Sequence, residues 1–293
     1  MRLFTPERNP TVFRKIAISI WRRSNNPQIL GDIDIDFTAA GHFIRQYGAR
    51  FGVRITPTHL VGRAVGLVLA AYPEANAKIA FSRLYRRNSA DVYFNVLAAD
   101  QRDLAGVRLS AVDKTSLAGI VEGLGGRTRK IRTGADKGFR RGRSLFRSLP
   151  VPVMRFGFWL ASLADDLIGI DLGWAGYPHD PFGGAVISSG GMGGLDSGYG
   201  ALPPVAHCAL FFVVMPVRDR PFVVDNRVEP RPVLRICGTF DHRIVDGHVS
   251  GLIATELKSL LADPESLLTD EERARWDEVP ETPSEPGAAV VSG

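Results

Sequence analysis

The run Val205–Met215 (VAHCALFFVVM) constrains this chain most. It is nearly all apolar and rich in β-branched and aromatic residues, yet falls short of the ~18–20 residues that a membrane-spanning helix needs. Such a run reads as a central strand buried on both faces. It requires strands on either side and cover above and below, so the chain must fold around a sheet. Other segments supply the neighbours. Ile33, Ile35 and Phe37 alternate with Asp32, Asp34 and Asp36, the period of a half-buried strand whose acids face outward. Val92–Ala99 and Val107–Val112 read as strands. Phe222–Val228 and Pro232–Phe240 read as two short edges joined at Asp225-Asn226, with Arg235 needing a polar contact or an exposed face. Three helices are expected. One starts at Thr56-Pro57, an N-cap followed by proline at the first helical position, and ends near Tyr72-Pro73. The second spans Lys114–Leu124 and is closed by Gly125-Gly126, and the third spans Gly251–Leu261. Thr11–Ser24 fits helix or strand. The class is α/β.

Charge is unevenly spread. The 293 residues carry net +5, but Thr269–Gly293 holds seven acids and two arginines, leaving 34 basic against 24 acidic residues in 1–268. We read 1–268 as one domain and the acidic, proline-rich 269–293 as a disordered tail. Arg127–Arg147 packs nine Lys or Arg around one acid, Asp136. The economical reading is a solvated surface loop; the sharper one is an electropositive arm for phosphate, membrane or nucleic acid. Nucleic-acid binding would call for more stacking aromatics than Phe139 and Phe146. Pro150–Pro178 turns apolar but is interrupted by Asp165 and Asp166, which suits a lid or core cover better than a peripheral membrane contact. Cys208 and Cys237 have no metal or redox spacing, and the N-terminus has no secretory pattern, so a reduced, cytoplasmic protein is expected.

The chemistry concentrates at Thr239-Phe240-Asp241-His242-Arg243-Ile244-Val245-Asp246-Gly247, where a strand closes and an amphipathic helix opens. One reading is a satisfied polar turn. A second is a metal site from His242, Asp246 and His248, although no short metal signature matches this spacing. A third makes His242 a general base, since its side chain titrates nearest neutrality. The other histidines suit lesser roles: His42 on a helix face, His59 at a helix start, His179 in a turn, His207 in a buried strand, and His248 beside the motif.

The segment DHRIVDG resembles the H-x-x-x-D-G motif of the chloramphenicol acetyltransferase-like, CoA-dependent acyltransferases, and its longer form resembles the catalytic domain of the dihydrolipoamide acyltransferases of 2-oxo-acid dehydrogenase complexes. Further blocks follow in family order: RKIAISIWRRS, ITPTHLVGRAVGLVLAAYPEANA, Val112–Leu117, Val186–Gly193 (VISSGGMG) and LKSLLADPESLL, from about Val12 to Leu268. H-x-x-x-D-G alone is shared with peptide-synthetase condensation domains; the ordered blocks are far more specific. The resemblance implies a two-layer α/β sandwich on a mixed central sheet, assembled as a homotrimer with active sites between subunits. It implies that His242 is the base and Ser188, with Ser189 beside it, the oxyanion donor. It also implies that Asp246 pairs with an arginine of the opening segment, Arg14 or Arg23; Trp21-Arg22-Arg23 favours Arg23. Asp241, Arg243 and Gly247 support the motif. Coenzyme A or acyl-CoA is then a substrate, and no metal is implied.

Two departures matter. The sequence opens almost at the core with no lipoyl segment, so the expectation is that a lipoyl group would arrive on another protein. Residues 127–181 are longer and more basic, then more aromatic, than the family's usual connection. The leading expectation is a stand-alone CoA-dependent acyltransferase acting on a thiol or hydroxyl, including dihydrolipoyl. The alternatives are a catalytically silent trimeric scaffold and an antibiotic-type O-acetyltransferase.

Overall fold

The computed structural model describes residues 4–6, 27–97, 104–132, 180–190, 194–203 and 207–278, with the isolated positions 153, 156 and 160. Thr11–Ser24, with Arg14 and Arg23, lies outside the described residues. So do His179, residues 133–152, nearly all of the apolar segment after them, and residues 279–293. In chain order the elements are β1 (Phe4–Pro6), β2 (Gln28–Asp36), α1 (Thr38–Phe51), α2 (Pro57–Ala71), β3 (Ala77–Ala80), β4 (Arg83–Arg87), β5 (Val92–Leu97), β6 (Leu104–Leu109), α3 (Leu117–Arg132), β7 (Ala185–Ser189), β8 (Leu210–Val214), β9 (Arg218–Val224), β10 (Arg227–Asp241) and α4 (Gly247–Ala262). A 3-10 turn (Pro264–Leu267) and α5 (Asp270–Glu278) follow.

The apolar run takes the expected place over Leu210–Val214, whereas His207, expected within the strand, precedes it at φ 49. β8 is buried along its whole length, in the interior of a sheet ordered β2-β10-β8-β7-β5-β6, with β9 paired to β10. The sheet is mixed: β5–β7 and β7–β8 are parallel, and the remaining pairs antiparallel. Beside it, β1, β4 and β3 form a small separate sheet. The alternation of side chains across a strand divides the large sheet's two faces. Ile35, Phe94, Ile187, Leu210, Phe212, Leu234 and Ile236 point to the main core with the buried stripes of α1–α4. Val186, Phe211, Val213, Met215 and Cys237 point the other way and form a second, smaller cluster with Cys208, against which Leu202 packs. The acids of β2 share this second face, opposite Arg235 and its neighbours.

A buried ion pair holds the approaches to both central strands. Arg87 grips Asp180 with two bonds of 2.8 Å and donates to the carbonyls of Ala77 (2.8 Å) and His207 (3.0 Å). This joins β4 to the segments entering β7 and β8. Burial by itself would raise the Asp180 carboxyl; the Arg87 guanidinium outweighs it and holds the carboxyl below its usual value. Just before β7, Gly183 sits at φ +65, where a Cβ would lie 2.6 Å from the Asp91 carbonyl oxygen. Only glycine suits that position.

Three expectations are corrected. Gly125 and Gly126 do not close α3, which runs through them to Arg132 and so makes the start of the basic segment helical rather than loop. Both glycines border open space, and the buried Leu117, Ile120 and Leu124 hold the helix by its other face. The arm expected as a short edge over Pro232–Phe240 belongs to a single strand, β10, from Arg227 to Asp241. Its first half pairs with β9 as a projecting ribbon, and its second half lies between β2 and β8. Asp225-Asn226 does form the turn, with φ of 47 and 59, the left-handed pair of a two-residue hairpin. Finally, residues 270–278 are helix, not tail. The Glu272 carboxylate is buried and accepts from the Tyr47 hydroxyl, from Leu117 N (2.9 Å) and from Thr269 N (3.0 Å). Trp276 stacks near Phe43 under the Arg50 guanidinium, which lies 4.0 Å from the ring centroid. Polar anchoring of this kind leaves no hydrophobic period in the sequence.

Candidate active site

β10 ends at Asp241, and the chain reverses within four residues. The Asp241 carbonyl accepts from Ile244 N (2.9 Å) and Val245 N (2.8 Å), and Ile244 and Val245 are buried beneath the turn. The Asp241 carboxylate, also buried, takes Arg243 N (3.0 Å), Nε (2.9 Å) and Nη2 (2.6 Å), a local clasp that stiffens the turn. From the other side the Pro27 carbonyl accepts His242 N at 2.7 Å. His242 is therefore fixed by its backbone while its ring stays partly exposed.

The ring's Nδ1 lies 3.1 Å from the Val245 carbonyl oxygen. That oxygen can only accept, so Nδ1 carries the proton and donates. In the neutral ring Nε2 then holds the lone pair. This is the tautomer a general base needs, with its basic nitrogen directed away from the turn. Asp246 follows as the N-cap of α4, its side chain accepting Val249 N at 2.9 Å. Both of its expected arginine partners lie outside the described residues. Gly247 opens α4 with open space around it and no left-handed φ, so nothing within the described chain demands glycine there. His248 is exposed in the first turn. Among the described residues no three His, Cys, Asp or Glu side chains come together as a metal set, and His242, Asp246 and His248 do not form one.

Ser188 lies near the end of β7 and shares Val186's face, the face away from the main core. It pairs with Val213, which pairs with Cys237. His242 stands five residues beyond Cys237, just past the end of β10. The two side chains are thus roughly 17 Å apart along the strands and about 10 Å apart across them, at opposite ends of the sheet. Ser189, next in line, is exposed at the strand end.

The other histidines are accounted for locally. His59 accepts Thr56 N at 3.1 Å on Nδ1, a histidine version of a capping box, and burial pushes its pKa down to about 4. His42 lies 3.0 Å from Arg45 on the exposed side of α1. His207 offers its carbonyl to Arg87.

One constellation on the face that Ser188 shares leaves no local sign of its assembly in the sequence. Residues 194–200 cross the outer face of the sheet as a strap. Arg235 binds Asp34 through two bonds (2.7 and 2.6 Å) and donates a third to the Ser197 hydroxyl (2.9 Å), while the Tyr199 hydroxyl donates to Asp32 (2.6 Å). The guanidinium holds the Asp34 carboxyl below its usual range, and the Asp32 carboxylate, with some help from burial, pushes the Tyr199 hydroxyl up to about 12. The signals were present, an arginine inside an apolar strand and acids at every second position of β2, but nothing local said that they would meet.

Comparison with known proteins gives this geometry a context. Residues 179–269, which contain both Ser188 and His242, match the family described as 2-oxoacid dehydrogenases acyltransferase (catalytic domain). The likeness is to the 2-oxoacid dehydrogenase acyltransferases. The dihydrolipoyllysine-residue succinyltransferase component of the Escherichia coli K12 2-oxoglutarate dehydrogenase complex is 27% identical over 230 residues, 77% of this chain and 46% of that protein. The chain thus spans about half the length of that relative. The dihydrolipoamide acetyltransferase of Azotobacter vinelandii, in which the catalytic role of a serine, a histidine and an asparagine four positions beyond it has been investigated, superposes with a TM-score of 0.59. It is 22% identical over 90% of this chain and 93% of that one. Chloramphenicol acetyltransferase superposes at 0.51, with 13% identity over 88% and 99%. The resemblance read from the motifs and the two-layer α/β fold expected from it both hold.

Proposed function

We propose that this protein is a CoA-dependent acyltransferase of the dihydrolipoamide acyltransferase type, acting by direct transfer without an acyl-enzyme. The observation that carries the reading is the His242 turn: a buried carboxylate clasp, a backbone anchor from Pro27 and an Nδ1–H donated to the Val245 carbonyl leave Nε2 as a positioned base. In this reading Nε2 takes the proton of the acceptor thiol, and the sulfur attacks the thioester carbonyl of acyl-CoA. The tetrahedral oxyanion accepts a hydrogen bond from the Ser188 hydroxyl. Its collapse expels the CoA thiolate, which recovers the proton from His242.

Ser188 and His242 of one chain are too far apart to share an intermediate, so the site is completed by Ser188 of a neighbouring copy. A homotrimer with three such junctions meets that need. The β9–β10 ribbon supports self-assembly as well: Val223 and Val228 pair across it, 66% and 72% exposed, and a two-stranded ribbon alone is marginal in water. Asp246 follows His242 by four positions, the spacing that separates the asparagine from the histidine named for the Azotobacter enzyme. By the motif resemblance read in the sequence, an arginine of the opening segment, Arg23 or Arg14, pairs with it. A separate lipoyl-carrying protein fits as the source of the acceptor.

The test is release of CoA from acetyl-, succinyl- and longer acyl-CoAs with dihydrolipoamide as acceptor, for the wild type and His242→Ala. Turnover that collapses in the variant supports the reading. Full turnover in His242→Ala, or no donor accepted by the wild type, refutes it.

A further inference from the structure

We propose that Arg235 is a positioning residue for the serine end of the active site, fixing the strap 194–200 across the face of the sheet that Ser188 shares. The inference rests on the acyl-transfer reading for its catalytic consequence and on geometry alone for the anchoring.

The strap follows closely on Ser188. Gly190 continues the β7 ladder by donating to the Val214 carbonyl at 2.8 Å, and a Cβ there would strike the Met215 sulfur at 2.6 Å, so the chain leaves the strand tight against the outer face. At Gly200 it is equally close: a Cβ would come within 2.2 Å of the Phe211 ring. Between these two apolar contacts the strap is held by polar groups. Arg235 reaches Ser197 while both its other bonds are committed to Asp34, which fixes the guanidinium as a rigid bracket. Tyr199 ties the strap to the next acid of the same strand, Asp32. Arg218, entering β9, adds a bond of 2.6 Å to Asp196.

Beneath the bracket lies Cys237, fully buried in β10 one residue pair from Val213 and two from Ser188. Burial pushes its thiol up, against the pull of the Gly198 amide and the Ser197 hydroxyl beside it. The row Ser188–Val213–Cys237–Asp32 spans about 15 Å of this face, and the strap is bonded at its Cys237–Asp32 end. Releasing the bracket frees the cover over Cys237 and loosens the face on which the Ser188 hydroxyl must be aimed. An oxyanion donor needs a fixed direction, because it acts only when aimed at the charge that develops.

The experiment uses Arg235→Gln and Tyr199→Phe in the full chain, each alone and combined with Ser188→Ala. Two readings are taken. The first is kcat and the acyl-CoA KM. We expect each strap variant to lower kcat by ~10-fold or more with KM little changed, and to cost nothing further in the Ser188→Ala background, since the group being positioned is gone. The second is the alkylation rate at Cys237, followed by peptide mass spectrometry to separate it from Cys208; Arg235→Gln should raise it at least ~10-fold by exposing the thiol. An equal loss of kcat with and without the Ser188 hydroxyl overturns the positioning role. An unchanged Cys237 rate overturns the anchoring. If the wild type turns over no acyl donor while Cys237 still becomes reactive in Arg235→Gln, the strap is anchored as described, the acyl-transfer reading falls, and the catalytic assignment falls with it.

Discussion

If the active site is shared between copies, two dead proteins should make a live one. Ser188→Ala removes the oxyanion donor, for a loss of ~10²–10³ in rate, and His242→Ala removes the base. Within one chain the two side chains stand roughly 17 Å apart along the sheet, several times the ~3 Å over which a base and an oxyanion donor serve one intermediate. Co-expressed in equal amounts with different tags, the variants assemble at random. In a cyclic head-to-tail assembly each site takes its histidine from one copy and its serine from the next, so about a quarter of sites receive both intact groups. In a trimer the doubly tagged pool excludes both homotrimers and keeps one intact site in three of every mixed ring, so its activity should reach about a third of wild type, roughly 30-fold above the Ser188→Ala parent if that parent retains ~1%. Chromatographic release of CoA reads the result. Activity at the mean of the two parents would refute the shared site.

Other outcomes follow from the same structure. Arg87→Met leaves the Asp180 carboxylate buried without its partner and should cost ~3–5 kcal/mol in urea unfolding. Because that carboxyl is held below 3.8 in the fold, the pair's contribution is complete above about pH 4 and drains away as pH falls through the depressed value. His59 works over a higher window. Its pKa falls from 6.5 to about 4 on folding, so the unfolded chain gains a proton first and stability declines as pH drops from 6.5 towards 4; His59→Gln, which keeps a capping side chain, should flatten that slope. Glu272→Ala strands Leu117 N and the Tyr47 hydroxyl and should lower stability by ~2–4 kcal/mol, read by denaturant melts. Gly183→Ala combines a left-handed φ with a Cβ against the Asp91 carbonyl, and a loss of at least ~1–2 kcal/mol is expected.

The elements that a chain announces locally are the ones legible here. Continuous burial announced β8, strict alternation announced β2, and Thr56-Pro57 announced the start of α2. The His242 turn was legible because polar residues cluster where an apolar strand ends. What escaped depends on distant partners. Gly125 and Gly126 look like a helix stop, yet burial of Leu117, Ile120 and Leu124 outweighs their cost of ~1 kcal/mol each. The segment DEERARWDE looks like solvated tail because its anchor is a carboxylate, and only the fold brings Tyr47 and Leu117 to it. Two prolines sit inside β10 without ending it: Pro230 lies where the strand pairs with β9 alone, and the Pro232 carbonyl accepts Phe37 N. At the site, Ser188 and His242 each stood out, but their placement at opposite ends of the sheet is a matter of register, which no motif encodes.

That register has a consequence for errors in folding. β10 is one uninterrupted strand from the ribbon tip to His242, pairing with β9, β2 and β8 in turn. A slip of one residue anywhere along it would turn Arg235 into the core and Leu234 out to solvent, and would draw His242 off the Pro27 carbonyl. The strand thus proofreads the base: a molecule in which the ladder closes has its imidazole in place, and one in which it does not close has no stable sheet to display it on.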